Sequence, residues 1–196
     1  MALLPDRLSD GVVELRRCGF GDLENAIQAI HESWPELHHW LLSFRDEVTQ
    51  ASYEKELDNQ IRRFDDDQDW QYFIVDQRDA TIVGMANLYR IGGPERVGIG
   101  YWVRTSRTRR GYARRATSLL VAAAFSCVPM VQVVEVQMDV TNLASSRVPQ
   151  KLGFRRVAEI QRDIQVPGHS GRGLLWEMDR LTWNNLNHAV SSTSLD

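Results

Sequence analysis

The stretch that decides the fold is Tyr101-Trp-Val-Arg-Thr-Ser-Arg-Thr-Arg-Arg-Gly-Tyr-Ala-Arg-Arg-Ala116, just past the middle of the chain. Its first residues end an apolar run typical of a β-strand, and the residues after Gly111 are typical of a helix start. The first backbone N–H groups of a helix have no acceptor within the helix and lie at the positive end of its dipole. Because Gly111 and Ala113 keep the first turn small, a diphosphate can approach these free amides.

Six arginines and no acidic residue lie between Arg104 and Arg115. A charged run of this kind can be a solvated surface and nothing more. At a strand–loop–helix junction, however, six like charges favour an anionic partner, since charge-assisted hydrogen bonds contribute about 1.5–3 kcal/mol each. The net charge of the whole chain is −3, which argues against a general affinity for nucleic acid.

The segments on either side of this junction predict one mixed sheet. Residues 70–76, 81–89 and 97–103 alternate with period two between short turns, which predicts three meandering strands. The other predicted strands are 12–17, 131–140, 154–166 and 173–181, and the predicted helices are 20–34, 48–64, 110–125 and 143–152. This order predicts an α/β (α+β) fold with a mixed, mostly antiparallel central sheet of about seven strands and helices on both faces.

The composition is that of an ordinary globular chain. Of its 196 residues 43% are apolar and 25% charged, and no apolar run approaches the roughly 20 residues that span a bilayer. We expect a single domain over 1–183, a polar and frayed tail over 184–196, and a cytoplasmic location without membrane contact. The two cysteines, Cys18 and Cys127, form neither a metal-ligand spacing nor a disulfide framework, so we expect no metal.

Two motifs resemble the signatures of the Gcn5-related N-acetyltransferases, the GNAT family. Gly111 and Ala113 match its acetyl-CoA pattern Gln/Arg-x-x-Gly-x-Gly/Ala, although Thr108 stands at the first position. The stretch Asn142-Leu-Ala-Ser-Ser-Arg-Val-Pro-Gln-Lys-Leu-Gly-Phe154 resembles the family's Asn-x-x-Ser/Ala followed by Lys-x-Gly-Phe. Ile99-Gly-Tyr-Trp and Glu36-Leu-His-His-Trp-Leu resemble the Rim-type branch, which acetylates the N-termini of ribosomal proteins. The resemblance extends over about residues 12–183.

This resemblance implies an enzyme that binds acetyl-CoA as co-substrate. The acetyl group would pass directly to a primary amine, either a protein N-terminus or a small amine, in a ternary complex. In the family the pantetheine arm lies where the strand before the cofactor loop diverges from the next parallel strand. The resemblance therefore implies backbone contacts from Trp102, Val103 and Arg104, and a contact from Asn142 to the pantetheine. The residues implied around the pyrophosphate are Arg109, Arg110, Gly111, Tyr112, Ala113 and Arg114.

Two positions of the family's chemistry are altered in this chain. Many members have a tyrosine where Pro149 stands, and Pro149 has no proton to give. Ser145 is then the best substitute for protonating or hydrogen-bonding the departing thiolate, and the alternative is a hydroxyl that satisfies the local helix backbone. For the general base, the branch often has an acid where this chain has Gly98, and Glu95 lies nearby. Its alternatives are Glu135 and Asp139, or water relayed to bulk solvent, and each carboxylate can equally be structural.

The acceptor is expected near the early helices. His38, His39 and Trp40 are the candidate substrate-binding residues, and a plain helix surface is the alternative. A cationic acceptor would be tolerated by the acidic residues Glu32, Glu36, Glu47 and 65–67.

Two further functions stay open at the level of sequence. The departures at Pro149 and Gly98 are also consistent with a non-catalytic acyl-CoA-binding sensor or partner protein on the same fold. A nucleotide-phosphate protein is remote, because Lys55 and Lys151 are the chain's only lysines and neither stands in a phosphate loop. We expect no nucleic-acid partner, and a homodimer is compatible with the sequence.

Overall fold

The computed structural model describes residues 3–192. Its strands are β1 (Arg7–Ser9), β2 (Val13–Arg17), β3 (Asp69–Asp76), β4 (Thr81–Arg90), β5 (Arg96–Val103), β6 (Val133–Asp139), β7 (Arg155–Gln161) and β8 (Arg172–Asp179). Its helices are α1 (Leu23–Glu32), α2 (Trp34–Trp40), α3 (Gln50–Asp65), α4 (Tyr112–Cys127), α5 (Leu143–Lys151) and α6 (Arg180–Ser192). The predicted mixed α/β fold is confirmed, with one more strand, because the short β1 was not anticipated.

Every strand pair but one in the described sheet is antiparallel. The strand order is β1-β2-β3-β4-β5-β6-β8-β7, and β3 to β5 form the meander that the period-two pattern predicted. β5 and β6 run parallel, because α4 crosses over between them and returns the chain to the same end of the sheet. The arginine-rich junction over residues 101–116 therefore leads into this crossover connection.

The side chains of β5 alternate between two cores. Val97 and Ile99 belong to the larger core, in which α4 packs on the sheet. Trp102 packs on the smaller core beneath α1 and α3, where its ring lies 6.0 Å from that of Phe44, centroid to centroid. The period-two pattern of the sequence thus corresponds to two buried faces of the same strand.

Gly98 and Gly100 leave β5 without side chains on the face from which Trp102 projects. A Cβ at Gly98 would lie 2.4 Å from the ring of Tyr89, and a Cβ at Gly100 would lie 2.5 Å from Oδ1 of Asn87. Only residues without a side chain admit these neighbours from β4 so closely. The glycines therefore create the space over β5 that Tyr89 and Asn87 share.

The helix predicted over 20–34 is present as α1, and a second helix, α2, which was not predicted, follows it directly. Pro35 lies in the first turn of α2, and because it has no N–H it cannot continue the hydrogen bonding of α1. The amide of Ser33 ends α1 by donating to the carbonyls of Ala29 (3.2 Å) and Ile30 (3.0 Å). The break leaves Glu32 and Ser33 at the end of α1, where both contact the loop after β5.

The C-terminal segment differs from the prediction, because α6 continues across the expected boundary at 183. Asp179 begins this helix by accepting hydrogen bonds from the amide and the hydroxyl of Thr182, both at 2.8 Å. Arg180 donates to the carbonyls of Phe125 and Val131, which attaches the helix to α4 and to the segment before β6. The polar composition of the segment concealed a local capping signal. Residues 193–196 of the predicted tail lie outside the described residues.

A buried carboxylate holds the start of α4 against the sheet. Asp76, at the end of β3, is fully buried and accepts hydrogen bonds from Arg78 (2.7 Å) and from the hydroxyl of Tyr112 (2.5 Å). Arg107 lies 3.7 Å from the same carboxylate. The hydrogen bonds from Arg78, with that from Tyr112, lower the pKa of Asp76 well below its usual range, although burial opposes them. The cluster connects β3, the loop after β5 and α4.

We expect Asp76→Asn to lower the free energy of unfolding at pH 7 by about 1.5–3 kcal/mol, the usual worth of a hydrogen bond to a charged group. Because folding lowers the pKa of Asp76, its contribution is present above the unfolded pKa of about 3.9 and is lost as the pH falls below it. Urea unfolding at pH 7 and pH 3 should therefore show a difference between the two proteins that shrinks in acid. Asp66→Asn, at an exposed carboxylate, is the control that should change little. An equal difference at both pH values would mean that Asp76 is not the ionised centre of this cluster.

Candidate functional site

β5 and β6 separate after a short parallel pairing. Their register runs from Arg96↔Val133 to Ile99↔Val136, and beyond this point β5 pairs only with β4. β6 continues with β8 as far as Asp139. The two parallel strands therefore leave a gap between their C-terminal ends.

The backbone groups that face this gap belong to Tyr101 and Val103. The amide of Arg104 donates to the carbonyl of Val83 on the β4 side (2.7 Å), so even-numbered residues of β5 direct their backbone groups to β4 and odd-numbered residues direct theirs away from it. Val103 thus faces the gap as expected, whereas the backbone contacts expected from Trp102 and Arg104 are directed at β4. The sequence motif identifies the end of β5, but only the hydrogen-bond register with β4 shows which of its residues direct their backbone groups to the gap.

The loop after β5 is held against the break between α1 and α2. The guanidinium of Arg104 lies 2.5 Å from Glu32, and the amide of Ser106 donates to the same carboxylate (3.2 Å). The amide of Thr105 donates to the hydroxyl of Ser33 (3.1 Å). Burial raises the pKa of Glu32, but the hydrogen bonds from Ser106 and Arg104 outweigh it and lower the pKa. These bonds within the protein fix the loop.

α4 begins without a side-chain cap. Its N-cap residue Gly111 has φ +86°, and Arg109 has φ +61°. Left-handed residues in a tight turn are a backbone arrangement that gathers N–H groups around an anion. The first bond of the helix runs from the amide of Arg115 to the carbonyl of Gly111 (3.0 Å), and within the described chain no side chain accepts from the amides before it. Gly111 therefore lies ahead of the helix, not inside the predicted first turn, and a larger residue there would be strained.

The six arginines divide into two equal groups. Three have ion pairs within the protein, namely Arg104 with Glu32, Arg107 with Asp79 and Arg115 with Asp10. The other three, Arg109, Arg110 and Arg114, are exposed and have no ion pair with any residue in the described range. The predicted anionic partner therefore has three free cations at the start of α4, and not six.

Ser145 is hydrogen-bonded to Tyr101, which belongs to the Ile99-Gly-Tyr-Trp motif and for which the sequence predicts no role of its own. The hydroxyl of Ser145 donates to that of Tyr101 (3.2 Å), which donates to the carbonyl of Ser145 (2.9 Å). Burial raises the pKa of Tyr101, so its hydroxyl stays protonated at neutral pH. The side chain of Ser145 therefore contacts β5 and does not satisfy the backbone of α5. The two residues are 44 positions apart, and no spacing rule links them.

Asn142 is the N-cap of α5. Its Oδ1 accepts a hydrogen bond from the amide of Ser145 (3.0 Å), an ordinary capping contact. The side-chain NH₂ group is then the part of Asn142 that is left to contact a pantetheine.

A cavity of about 530 Å³ lies on the other face of β5 and extends to the residues beside the gap. Its walls come from the turn after α2, from α3 and from β3 to β5, and Gly100, Tyr101 and Trp102 line it on the β5 side. Its other polar lining residues are Ser43, Asp46, Glu47, Ser52, Tyr53, Glu56, Gln60, Gln71 and Asn87. A small amine or the end of a peptide can occupy a space of this size.

Most of the acidic residues expected around the acceptor have other contacts. Glu47 lines the cavity. Glu32 holds the loop after β5, and Glu36 accepts from the hydroxyl of Thr105 (3.1 Å). Residues 65–67 lie at the C-terminal end of α3, where Asp65 pairs with Arg17 (2.7 Å). Sequence proximity to the early helices was therefore a poor guide to the cavity wall.

His38, His39 and Trp40 do not line this cavity, contrary to the expectation. Nδ1 of His38 lies 3.2 Å from the carbonyl of Phe44. The carbonyl of His39 accepts from the amide of Gly168, in the loop between β7 and β8 (2.7 Å), and a Cβ at Gly168 would lie 2.7 Å from the ring of Trp40. The end of α2 thus supports the turn that follows it, which lines the cavity, and the loop between β7 and β8.

Glu95 lies at the wrong end of β5 to act as a base at the gap. Its carbonyl accepts from the amides of Gln132 and Val133 at the start of β6. Gly100, where the strands have separated, is five residues further on, or roughly 17 Å along an extended strand. The motif places Glu95 close in sequence to the cofactor loop, but an extended strand carries that loop away from it.

Glu135 and Asp139 are also engaged within the protein. Glu135 forms an ion pair with Arg96 (2.5 Å). Asp139 accepts hydrogen bonds from Thr141 (2.6 Å) and from the amide of Ser170 (2.7 Å), and these lower its pKa to about 2 although burial acts in the opposite direction. Both carboxylates are placed as structural groups.

Residues 3–192 contain no group of three or more histidine, cysteine, aspartate or glutamate side chains placed to hold a metal ion. None of the described helices combines the length and the apolar character that crossing a membrane requires.

Comparison with known proteins adds to this geometry. The sequence matches the family model described as an acetyltransferase (GNAT) domain over residues 13–155. No curated protein matches the chain.

Solved structures share the whole fold at low sequence identity. RimJ of Mycobacterium smegmatis in complex with CoA-disulfide is 21% identical with a TM-score of 0.80, and the match covers 96% of each chain. RimL, a ribosomal L7/L12 α-N-protein acetyltransferase in complex with coenzyme A, is 16% identical with a TM-score of 0.80, over 91% of this chain and 98% of its own. The microcin C7 self-immunity acetyltransferase MccE, in complex with acetyl-CoA and AMP, is 13% identical with a TM-score of 0.81, over 91% of this chain and 98% of its own. The family model matches well over half of the sequence and Rim-type enzymes share its fold, so the chain belongs to the GNAT acetyltransferase family and resembles the Rim-type branch.

Proposed function

We propose that this protein is an N-acetyltransferase that passes an acetyl group from acetyl-CoA to a primary amine, a protein N-terminus or a small amine. The observation that carries the proposal is the divergence of β5 from β6 one short loop before the uncapped start of α4. Backbone groups without partners at the gap and at α4 suit the two parts of one long ligand. The likeness to structures that contain CoA or acetyl-CoA supports the same choice of ligand.

In this proposal the pantetheine arm extends the hydrogen bonding of β5 where β6 has left it. Tyr101 and Val103 supply the backbone groups, and the NH₂ group of Asn142 supplies a side-chain donor. The pyrophosphate lies at the start of α4, against the amides that follow Gly111 and the three arginines without ion pairs. Four or five charge-assisted hydrogen bonds of about 1.5–3 kcal/mol each are enough to hold such a cofactor.

The reaction needs a neutral amine at the thioester. The amine nitrogen attacks the carbonyl carbon and forms the new C–N bond, and negative charge gathers on the carbonyl oxygen. The C–S bond then breaks, CoA leaves as a thiolate that takes up one proton, and the nitrogen loses one. Holding both substrates in one ternary complex removes most of the entropic barrier to this attack. The cavity beside Tyr101 has exposed residues at its edge, so we assign removal of the amine proton to water.

We assign the proton or hydrogen bond for the thiolate to Ser145. Its hydroxyl lies where β5 and α5 meet, and the hydroxyl of Tyr101 holds it there. A hydroxyl can rotate from Tyr101 to a thiolate without moving its oxygen. Tyr101 is therefore a positioning residue in this proposal, and Ser145 is the group that contacts the leaving sulfur.

The first test concerns the arginines. We expect acetyl-CoA to bind with micromolar affinity and more weakly as salt rises, because attraction between exposed charges is screened. The double variant Arg109→Gln/Arg110→Gln should bind about tenfold or more weakly and with less dependence on salt. Arg115→Gln is the matched control, since Arg115 already pairs with Asp10 (2.7 Å). Calorimetry at two ionic strengths measures both effects, and equal losses in both variants would place the pyrophosphate elsewhere.

The second test separates backbone strain from cofactor binding at Gly111. Gly111 and Gly92 both have positive φ, and an added Cβ would meet no atom within 4 Å at either position. Gly111→Ala and Gly92→Ala should therefore lose similar stability, about 1–2 kcal/mol. Only Gly111→Ala should weaken acetyl-CoA binding, by about tenfold or more, because it strains the turn that presents the amides. Thermal melting and calorimetry on the same samples decide, and a Gly111→Ala protein with unchanged affinity would contradict the proposed cofactor position.

The third test concerns the leaving group. Ser145→Ala should lower kcat by about 10- to 100-fold with unchanged affinity for acetyl-CoA, at or just below the usual range for acid–base groups. Tyr101→Phe should lower kcat less, and Ser146→Ala should not lower it, because the hydroxyl of Ser146 bonds only to the carbonyl of Leu143 (3.1 Å). Thiol release with a mixed panel of amines is the assay. Binding of acetyl-CoA without thiol release from any amine would identify a sensor and contradict the enzyme.

A further inference from the structure

The cavity over β5 has an excess of negative charge. Its lining includes Asp46, Glu47 and Glu56 and, within the described part of the chain, no lysine, arginine or histidine. Asp46 has Arg45 beside it (3.3 Å), but both side chains are largely exposed, so this pair neutralises little. Glu47 and Glu56 have no ion pair with any described residue. A positively charged ligand is therefore favoured over a neutral or negative one.

The deep wall of the cavity contains an unpaired hydrogen-bond acceptor. Gln60 on α3 is only 6% exposed. Its side-chain N–H donates to Glu56 (3.2 Å), while its Oε1 is buried and has no hydrogen-bond partner. A buried carbonyl without a donor is destabilising, and Gln60 is one of the residues that line the cavity. This oxygen and the neighbouring carboxylate of Glu56 together suit an N–H donor that carries a positive charge.

Aromatic side chains belong to the wall of this cavity. Phe44, Tyr53 and Trp102 line the same cavity, and aromatic faces attract alkyl chains and cations alike. Asp69 lies behind Asn87, which donates to it (2.8 Å), and Arg63 on the same helix as Gln60 pairs with Asp69 (3.0 Å). Arg63 is therefore already engaged, and Arg62, the other arginine of α3, pairs with Asp58 (2.6 Å).

We propose that the cavity selects primary amines that carry a second positive charge. The reacting amine lies beside Tyr101 at the gap, an alkyl chain crosses the aromatic wall, and the second cation binds Oε1 of Gln60 and the carboxylate of Glu56. A linear diamine has this chemistry, and so does a peptide whose first residues include a basic side chain. This inference names the acceptor class and rests on the proposed acetyltransferase function.

The test compares acceptors of equal length at saturating acetyl-CoA. We expect kcat/KM for 1,4-diaminobutane to exceed that for butylamine and for 4-aminobutanoate by about 10- to 100-fold, the range for one or two hydrogen bonds to a charged group. Paired peptides that differ in a single lysine or glutamate at the second position form the peptide arm and show which source is preferred. Comparable kcat/KM values for all acceptors would overturn the inference and leave the acetyltransferase in place.

Two variants locate the selectivity. Glu56→Gln and Gln60→Leu should each reduce the ratio of kcat/KM for diamine over monoamine by about tenfold, and mainly through KM. Glu54→Gln is the matched control, because Glu54 is on the same helix, contacts Gln50 (2.8 Å) and does not line the cavity. A preference for the diamine that persists in Glu56→Gln/Gln60→Leu would overturn the inference.

Direct titration of the protein with 1,4-diaminobutane separates failure of the inference from failure of the proposed function. Binding that the double variant loses supports the cation site even if no amine is acetylated, in which case the proposed function alone fails. An absence of binding together with an absence of selective turnover overturns the inference.

Discussion

The parallel pairing of β5 and β6 ends at Ile99, and a ladder that ends in the middle of a sheet leaves backbone N–H and C=O groups that need partners. Each strand stays with its other neighbour, β5 with β4 and β6 with β8. The ends of both strands are also fixed by carboxylates, because Glu32 holds the loop after β5 and Asp139 holds the turn after β6. The opening is therefore maintained by bonds within the protein, and the proposed ligand completes an interrupted sheet.

The arginines around α4 divide in the same way, because some form ion pairs within the protein and the others are left for the proposed ligand. Arg104, Arg107 and Arg115 connect the loop and the helix to three different parts of the fold. With Asp76 they fix where α4 begins, while the remaining arginines of the cluster have no ion pair within residues 3–192. A single stretch of sequence thus supplies both the framework of the anion site and the cations that would occupy its rim. On the opposite face of β5 the sign is reversed, and the acidic cavity suits a cationic acceptor.

The fold could be predicted from the sequence because its signals are local. Period-two runs predicted the meander, and the arginine-rich turn with Gly111 before a helical pattern predicted the crossover. The sequence-based predictions were incomplete where the structure of one segment depends on its contacts with another segment. α2, with Pro35 in its first turn, was not predicted as a helix of its own, and Asp179 caps a helix in a segment that reads as a polar tail. The contact between Tyr101 and Ser145 joins the Ile99-Gly-Tyr-Trp motif to the motif that begins at Asn142. Neither motif predicts a hydrogen bond between residues 44 positions apart. Glu95 is close in sequence to the loop after β5, but the extended strand between them places the two far apart in space.

The pair of glycines in β5 bears on how this chain could have acquired or lost a carboxylate base. An acidic side chain at position 98 would collide with the ring of Tyr89, whose atoms lie 2.4 Å from where its Cβ would be. Restoring an acid at that position thus requires a smaller residue at position 89 first, and each change alone is unfavourable, one through a steric clash and the other through an unfilled hole. A substitution at position 98 or at position 89 is therefore favourable only when the other position changes as well. In the proposed reaction, glycine and tyrosine at these two positions therefore leave the removal of the amine proton to solvent.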